Sequence, residues 1–228
     1  LYNPSTLTTT VASDCMLRLS SLVLSRALTH VIVVVAAALA FPQAALAART
    51  LLVFGDSLSA GYGIRQDAAW PSLLGQRLAA RGFDYNVVNA SISGETTSGG
   101  RSRLDAALAR HKPTLLIIAL GSNDGLRGLP VKTMRDNLDA MIASAHKQKV
   151  RILLLPQRLP PNFGPYADEF AAVFPAIAKA HKITLGDYLL TEIATDLRYF
   201  QADQLHPTAE AQPILLDTVW RRLEPLLK

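Results

Sequence analysis

The chain has 228 residues, of which 50% are hydrophobic, 18% charged and 7% aromatic, with 13 Gly and 13 Pro. That composition excludes a disordered, collagen-like or disulfide-stapled chain. The net charge of +5 is modest and no run of Lys or Arg marks a nucleic-acid surface. Cys15, the only cysteine, leaves no internal disulfide and no cysteine-based zinc site.

Leu1–Cys15 shows no periodicity and precedes the first methionine, Met16, so residues 1–15 read as sequence upstream of the true start. Arg18 and Arg26 then supply positive charge, Val31–Phe41 is a continuous apolar run, and Ala45-Leu46-Ala47 has the small-x-small form of a cleavage site. Spanning a bilayer takes about 20 apolar residues, more than this run offers, so 16–47 reads as a secretory signal peptide rather than an anchor. The expectation is cleavage after Ala47 and an exported, periplasmic or secreted protein without a permanent membrane anchor. Residues 48–228 then form one domain, and about 180 residues without cysteine are enough to hold together by core packing.

Beyond Ala47, short apolar runs alternate with longer segments of helical period. Thr50–Phe54, Tyr85–Asn89, Thr114–Leu120, Val150–Leu155 and the weaker Ile183–Leu185 read as strands. Trp70–Arg81, Arg101–Arg110, Val131–Lys147, Ala167–Lys179 and a last segment ending near Leu227 read as helices. In Val131–Lys147, for example, Met134, Leu138, Met141, Ile142 and Ala145 fall on one face. Continuously apolar strands separated by helices predict an α/β fold: three layers, doubly wound and flavodoxin-like, with a mostly parallel five-stranded sheet and helices on both faces. Ligands of such sheets sit outside the C-terminal ends of the strands, so the turns there carry the functional information.

The first such turn is Gly55-Asp56-Ser57-Leu58-Ser59, which exposes a serine at the ligand edge, although a serine there can equally cap a helix. Asp56 reads as a turn-former. The second, Asn89-Ala90-Ser91-Ile92-Ser93-Gly94-Glu95-Thr96-Thr97, lets Gly94 approach a ligand closely. In the third, Gly121-Ser122-Asn123-Asp124-Gly125, Asn123 is a neutral donor or the anchor of an Asx-turn. Near the C-terminus stands Asp203-Gln204-Leu205-His206-Pro207, in which Pro207 keeps His206 out of a regular helix. Of the five histidines, His30 lies in the leader, while His111, His146 and His181 each precede a Lys at the end of a helical segment, where a cation suits the helix dipole. His206 is left as the one histidine in a polar loop beside a carboxylate. Ser, His and Asp are the parts of a nucleophilic acyl-transfer site.

Taken together, the four loops resemble the SGNH hydrolases, also called GDSL esterases or lipases, over nearly all of 50–228. Within that family the match is nearest to exported bacterial esterases and thioesterases, on the spacing and on Gly125-Leu126-Arg127-Gly128. The resemblance implies Ser57 as nucleophile, His206 as general base then acid, and Asp203 as the residue that orients His206. It implies an oxyanion hole from the N–H groups of Ser57 and Gly94 and the amide of Asn123, with no metal and no cofactor. Apolar residues in the loops after the third and fourth strands suggest an acyl groove from Leu126, Arg158, Leu159 and Pro160, though Leu126 and Leu159 can equally pack on neighbouring helices. Substrates would be small acyl esters, thioesters or lysophospholipids, acted on by a monomer that takes no nucleic acid. Two departures stand out: Gln204 where the family pattern has Gly, and Pro156 at the exit of the fourth strand.

Other readings fare less well. An α/β-hydrolase needs G-x-S-x-G, and Ser59 stands at the second glycine; a dinucleotide fold needs a third glycine where Gln66 stands; no G-K-[ST] loop follows a strand and no H-E-x-x-H occurs. A flavin carrier would use Ser91–Thr96 as a phosphate loop, but after the first strand, and a yellow protein would be its sign. A carbohydrate-ester deacetylase of the same family is the rival in substrate.

Overall fold

The computed structural model describes residues 48–228, which form one compact unit. Residues 1–47, with Cys15, His30 and the expected signal peptide and cleavage site, lie outside the described residues. The elements are β1 (Arg49–Gly55), α1 (Ser57–Ala60), α2 (Trp70–Ala80), β2 (Tyr85–Asn89), α3 (Thr97–His111), β3 (Leu115–Ala119), α4 (Ser122–Leu126), α5 (Val131–Lys147), β4 (Arg151–Leu154), α6 (Pro165–His181), β5 (Thr184–Leu185) and α7 (Gln212–Leu223). The five strands are all parallel, in the order β2-β1-β3-β4-β5.

Strand side chains alternate between faces, and here both faces are covered. Leu51, Val53, Leu115, Ile117 and Leu153 pack with Trp70, Leu74 and Leu78 of α2 and Leu215, Val219 and Leu223 of α7. Leu52, Phe54, Leu116, Ile118 and Leu154 pack on the other side with Leu104 and Leu108 of α3, Leu138 and Met141 of α5, and Phe170 and Phe174 of α6. A strand buried on both sides has no polar position to spare, which is why these runs are continuously apolar.

The expected helix at Arg101–Arg110 begins four residues earlier, at Thr97. Thr96 caps it by accepting from Gly99 N, and two glycines in its first turn hide the start from a propensity reading. Gly100 cannot carry a side chain there: a Cβ would lie 2.5 Å from Leu120 Cδ1. Likewise α6 starts at Pro165, a residue favoured in a first turn because it lacks an N–H that would have no partner. Between β5 and α7 runs a long irregular segment, 186–211, containing a 3₁₀ turn at Leu197–Tyr199. Among the described residues no helix is long and apolar enough to cross a membrane.

Candidate active site

The C-terminal ends of β1, β2 and β3 and the 186–211 segment meet at a cavity of about 430 Å³. Ser57 is the first residue of α1, directly behind the strand end. Asp56, not Ser57, is the cap: its Oδ1 accepts from Leu58 N at 3.1 Å. Gly55 is required because a Cβ there would sit 2.8 Å from Ser59 Oγ and 3.0 Å from the Ala119 carbonyl.

Ser57 Oγ lies 2.9 Å from His206 Nε2, and His206 Nδ1 lies 2.7 Å from Asp203 Oδ2. The other carboxylate oxygen, Asp203 Oδ1, accepts from the backbone N–H groups of Leu205 and His206, each at 3.0 Å. The His206 N–H, then the imidazole, then the Leu205 N–H hold the Asp203 carboxyl down at about 2. Gln204, between the two residues, has φ 55, so the turn keeps the left-handed conformation that glycine adopts freely. The loop is pinned at its base, where Gln201 N donates to His206 O and Thr208 N to Tyr199 O. Gln201 Nε2 also reaches Tyr62 O at 2.8 Å, and the Tyr62 ring lies against His206 with centroids 4.4 Å apart.

The donor side is built by the loops after β2 and β3. Gly94 has φ 78, a conformation that glycine alone reaches without strain. Asn123, in α4, donates through Nδ2 to Glu95 O at 3.0 Å, leaving its second amide hydrogen free. Buried Asp124 accepts from Thr97 N at 2.8 Å and Thr97 Oγ1 at 2.6 Å, and Asn137 donates to the same hydroxyl. Arg103 secures the β2 loop through Glu95 and Ala90 O while its guanidinium lies over the Phe54 ring. The Asx-turn reading of Asn123 gives way to this bridge between loops. The Ser91–Thr96 run is occupied as well: Ser91 N donates to Asn89, and Thr96 caps α3.

Asp56 is buried, lines the cavity, and its Oδ2 has no hydrogen-bond partner. Burial pushes its pKa up to about 7, against the opposing bond from Leu58 N, with the Asp124 charge adding to the rise.

The wall of the cavity contains Leu126, Arg158 and Pro160 but not Leu159. Leu159 is a correction: its side chain packs on the α5–α6 side of the core, close enough to Gly125 that a Cβ there would meet it at 2.6 Å. Leu159 is thus an ordinary packing residue, and Gly125 is glycine to admit it. In its place stand residues that sequence reasoning missed: Leu58, Tyr62, Tyr188, Leu190, Phe200 and Leu205. Arg158 lies with its guanidinium 5.8 Å from the Tyr188 ring centroid. Pro156 follows β4 and precedes buried Gln157, whose Oε1 accepts from Ser122 Oγ at 2.7 Å. His111, His146 and His181 do lie in the last turns of their helices, away from this cavity; His181 Nε2 meets Asp139 at 2.8 Å. Among the described residues no group of three or more His, Cys, Asp or Glu is placed to hold a metal ion.

Residues 53–213 match the GDSL-like lipase/acylhydrolase family. Esterase TesA of Pseudomonas aeruginosa is 47% identical over 182 residues, covering 79% of this chain and 90% of that protein. Thioesterase 1/protease 1/lysophospholipase L1 of Escherichia coli K12 is 39% identical over 184 residues, covering 80% and 87%. The crystal structure of the psychrotrophic esterase EstA from Pseudoalteromonas sp., inhibited by monoethylphosphonate, superposes with a TM-score of 0.76 at 39% identity, covering 78% of this chain and 98% of that one.

Proposed function

The chain belongs to the GDSL-like lipase/acylhydrolase family, and from that premise we propose that it is a serine hydrolase cleaving carboxylic esters or thioesters of acyl chains, lysophospholipids included, through Ser57, His206 and Asp203. The observation that carries the reading is the unbroken hydrogen-bonded chain from Ser57 Oγ through His206 to Asp203 beside one cavity. His206 Nε2 takes the hydroxyl proton as Ser57 Oγ attacks the carbonyl carbon. Asp203, already an anion, keeps Nδ1 protonated and stabilises the imidazolium. The tetrahedral oxyanion is held by the N–H groups of Ser57 and Gly94 and the free amide hydrogen of Asn123, donors fixed before the charge develops. His206 then protonates the leaving alcohol or thiol, and water repeats the sequence on the acyl-enzyme. No step calls for a metal or cofactor.

An acyl chain suits the cavity better than a sugar. Leu58, Leu126, Leu190, Phe200 and Leu205 offer apolar surface for the chain, while Asp56, Tyr62, Ser122, Arg158, Tyr188 and Gln204 supply the polar part of the lining. The names of the relatives, esterase and thioesterase 1/protease 1/lysophospholipase L1, support the same class. Ser57→Ala should fold normally and lose nearly all ester hydrolysis, and a phosphonate should label Ser57 alone; wild-type turnover in that variant would end the assignment. We also propose that 16–47 is removed on export and that 48–228 acts as a monomeric domain. N-terminal sequencing of the exported protein should then begin at Ala48, and an intact Met16 terminus would contradict it.

A further inference from the structure

The edge of the sheet opposite the cavity has a character that the linear sequence hides. The strand register sets Arg49 level with Tyr85, and Arg151 level with Leu115. Lys112 precedes β3, and Lys182 stands two residues before Thr184, at the level of Arg151. Arg49, Lys112, Arg151 and Lys182 therefore cross this edge from β1 through β3 and β4 to β5, a span of roughly 15 Å at the usual strand spacing. Lys149 and the C-terminal Lys228 join them, the latter through its carbonyl on Arg151 Nη1 at 3.0 Å. None of these six cations forms an ion pair among the described residues. Asp84 is the only acidic side chain in the segments that lead into the five strands; of the helix carboxylates toward this end, Glu224 is taken by Arg81 and Trp220, and Asp139 by Arg135 and His181.

Helix dipoles account for part of this charge, since Arg110, His111, His146, Lys147, Lys179 and His181 sit in last turns. They do not account for three lysines just beyond those turns. Lys112, Lys149 and Lys182 have φ of 45, 58 and 53, where glycine is the usual and cheaper residue. Each costs roughly 1–2 kcal/mol of backbone strain, and each places a cation on the same edge. Between α5, α6 and the starts of β4 and β5 lies a cleft of about 320 Å³. Its rim is His146, Lys149, Arg151 and Lys182, its apolar lining is Val150, Ile152, Ile183 and Leu226, and no carboxylate lines it.

We propose that this edge docks the protein on an anionic lipid surface, its cations on the headgroups and the cleft taking one headgroup with the start of its chain. Nucleic acid fits less well, because the cleft offers aliphatic surface rather than aromatic faces for stacking bases. Docked this way, the catalytic cavity faces away from the surface and remains open to soluble substrate. The inference is independent of the chemistry assigned to Ser57.

The test is cosedimentation of the purified protein with vesicles of phosphatidylcholine alone or mixed with phosphatidylglycerol. Binding should require the anionic lipid and fade as salt shortens the screening length. A cation near such a surface contributes about fivefold to partitioning, so Lys149→Gln with Lys182→Gln should weaken binding about 25-fold. Hydrolysis of a soluble short-chain ester should stay unchanged. Lys149→Gly with Lys182→Gly should lose binding equally while staying at least as heat-stable, which separates lost charge from lost fold. Equal binding to both vesicles, binding untouched by either double variant, or capture by duplex DNA but not by vesicles would overturn the proposal.

Discussion

Asp56→Asn separates charge from shape behind the serine. Asp56 is 1% exposed and accepts one bond through Oδ1, while Oδ2 is buried without a partner. Its pKa rises from 3.8 to about 7, chiefly through burial. That displacement corresponds to about 4 kcal/mol of differential stability between the two protonation states. The folded state binds this proton more tightly than the unfolded chain does. The contribution of Asp56 to stability is therefore greatest below pH 4, falls as the pH rises toward 7, and is constant above that. Asparagine keeps the Oδ1 acceptor for Leu58 N but cannot ionise. Its amide hydrogens add a fixed desolvation cost of about 1–3 kcal/mol that does not depend on pH. The difference in unfolding free energy, variant minus wild type, should then climb by about 4 kcal/mol between pH 4 and pH 8, whatever that fixed cost is. Urea denaturation of both proteins at a series of pH values measures it. A difference that stays flat across the range would refute the argument and mean that Asp56 is solvated or paired in the folded protein.

Gln204→Gly should relieve a left-handed residue at a cost of about 1–2 kcal/mol in the native turn, against about 0.5–1 kcal/mol of extra chain entropy in the unfolded state. The net gain should raise the melting temperature by about 1–3 °C with kcat unchanged, as calorimetry and an ester assay can check. Leu126→Gln should flatten the dependence of kcat/KM on acyl length and leave acetyl esters nearly untouched. In the wild type each added methylene in the groove is worth up to about 0.8 kcal/mol, so two give more than tenfold; a wild-type profile that peaks at acetyl would favour the carbohydrate-ester reading instead.

The sheet was legible because burial on both faces leaves a mark in the sequence: runs such as Leu115–Ala119 have no polar residue at any position. The residues proposed to react drew notice because Ser57, Gly94 and Asn123 stand just beyond strands and Asp203 to His206 is a four-residue turn followed by Pro207; the structure brings Ser57, His206 and Asp203 into one hydrogen-bonded chain. The cavity wall was legible only in part: Leu126, Arg158 and Pro160 do line it. Tyr188, Leu190 and Phe200 come from the irregular segment before α7, where apolar residues follow no period, and only the folded path shows which of them turn inward. Leu159 misled for a related reason. An apolar residue in a loop beside a site can face the substrate or the core, and the deciding fact was space at Gly125, a contact 34 positions away in the chain. The basic edge was invisible as well, because its lysines come singly from separate connections and meet only through strand register.

The network behind the donors explains why Asp124 follows Asn123. In the proposed reaction Gly94 and Asn123 supply oxyanion donors, and a donor that must reorient during the reaction loses much of its value, so their loops have to be fixed relative to each other. Three ties do this across different chain distances. Asn123 reaches Glu95 O, Asp124 receives both the N–H and the hydroxyl of Thr97, and Arg103 returns from α3 to Glu95 and Ala90 O. Thr97 opens α3, so the helix that covers Phe54 and Leu52 is itself the anchor of the β2 loop. Core packing of α3 thus sets the position of Gly94, and Asp124 transmits that position to α4. A change at Thr97 or Asp124 is therefore expected to act on the donors without touching substrate, and it should appear in kcat before it appears in KM.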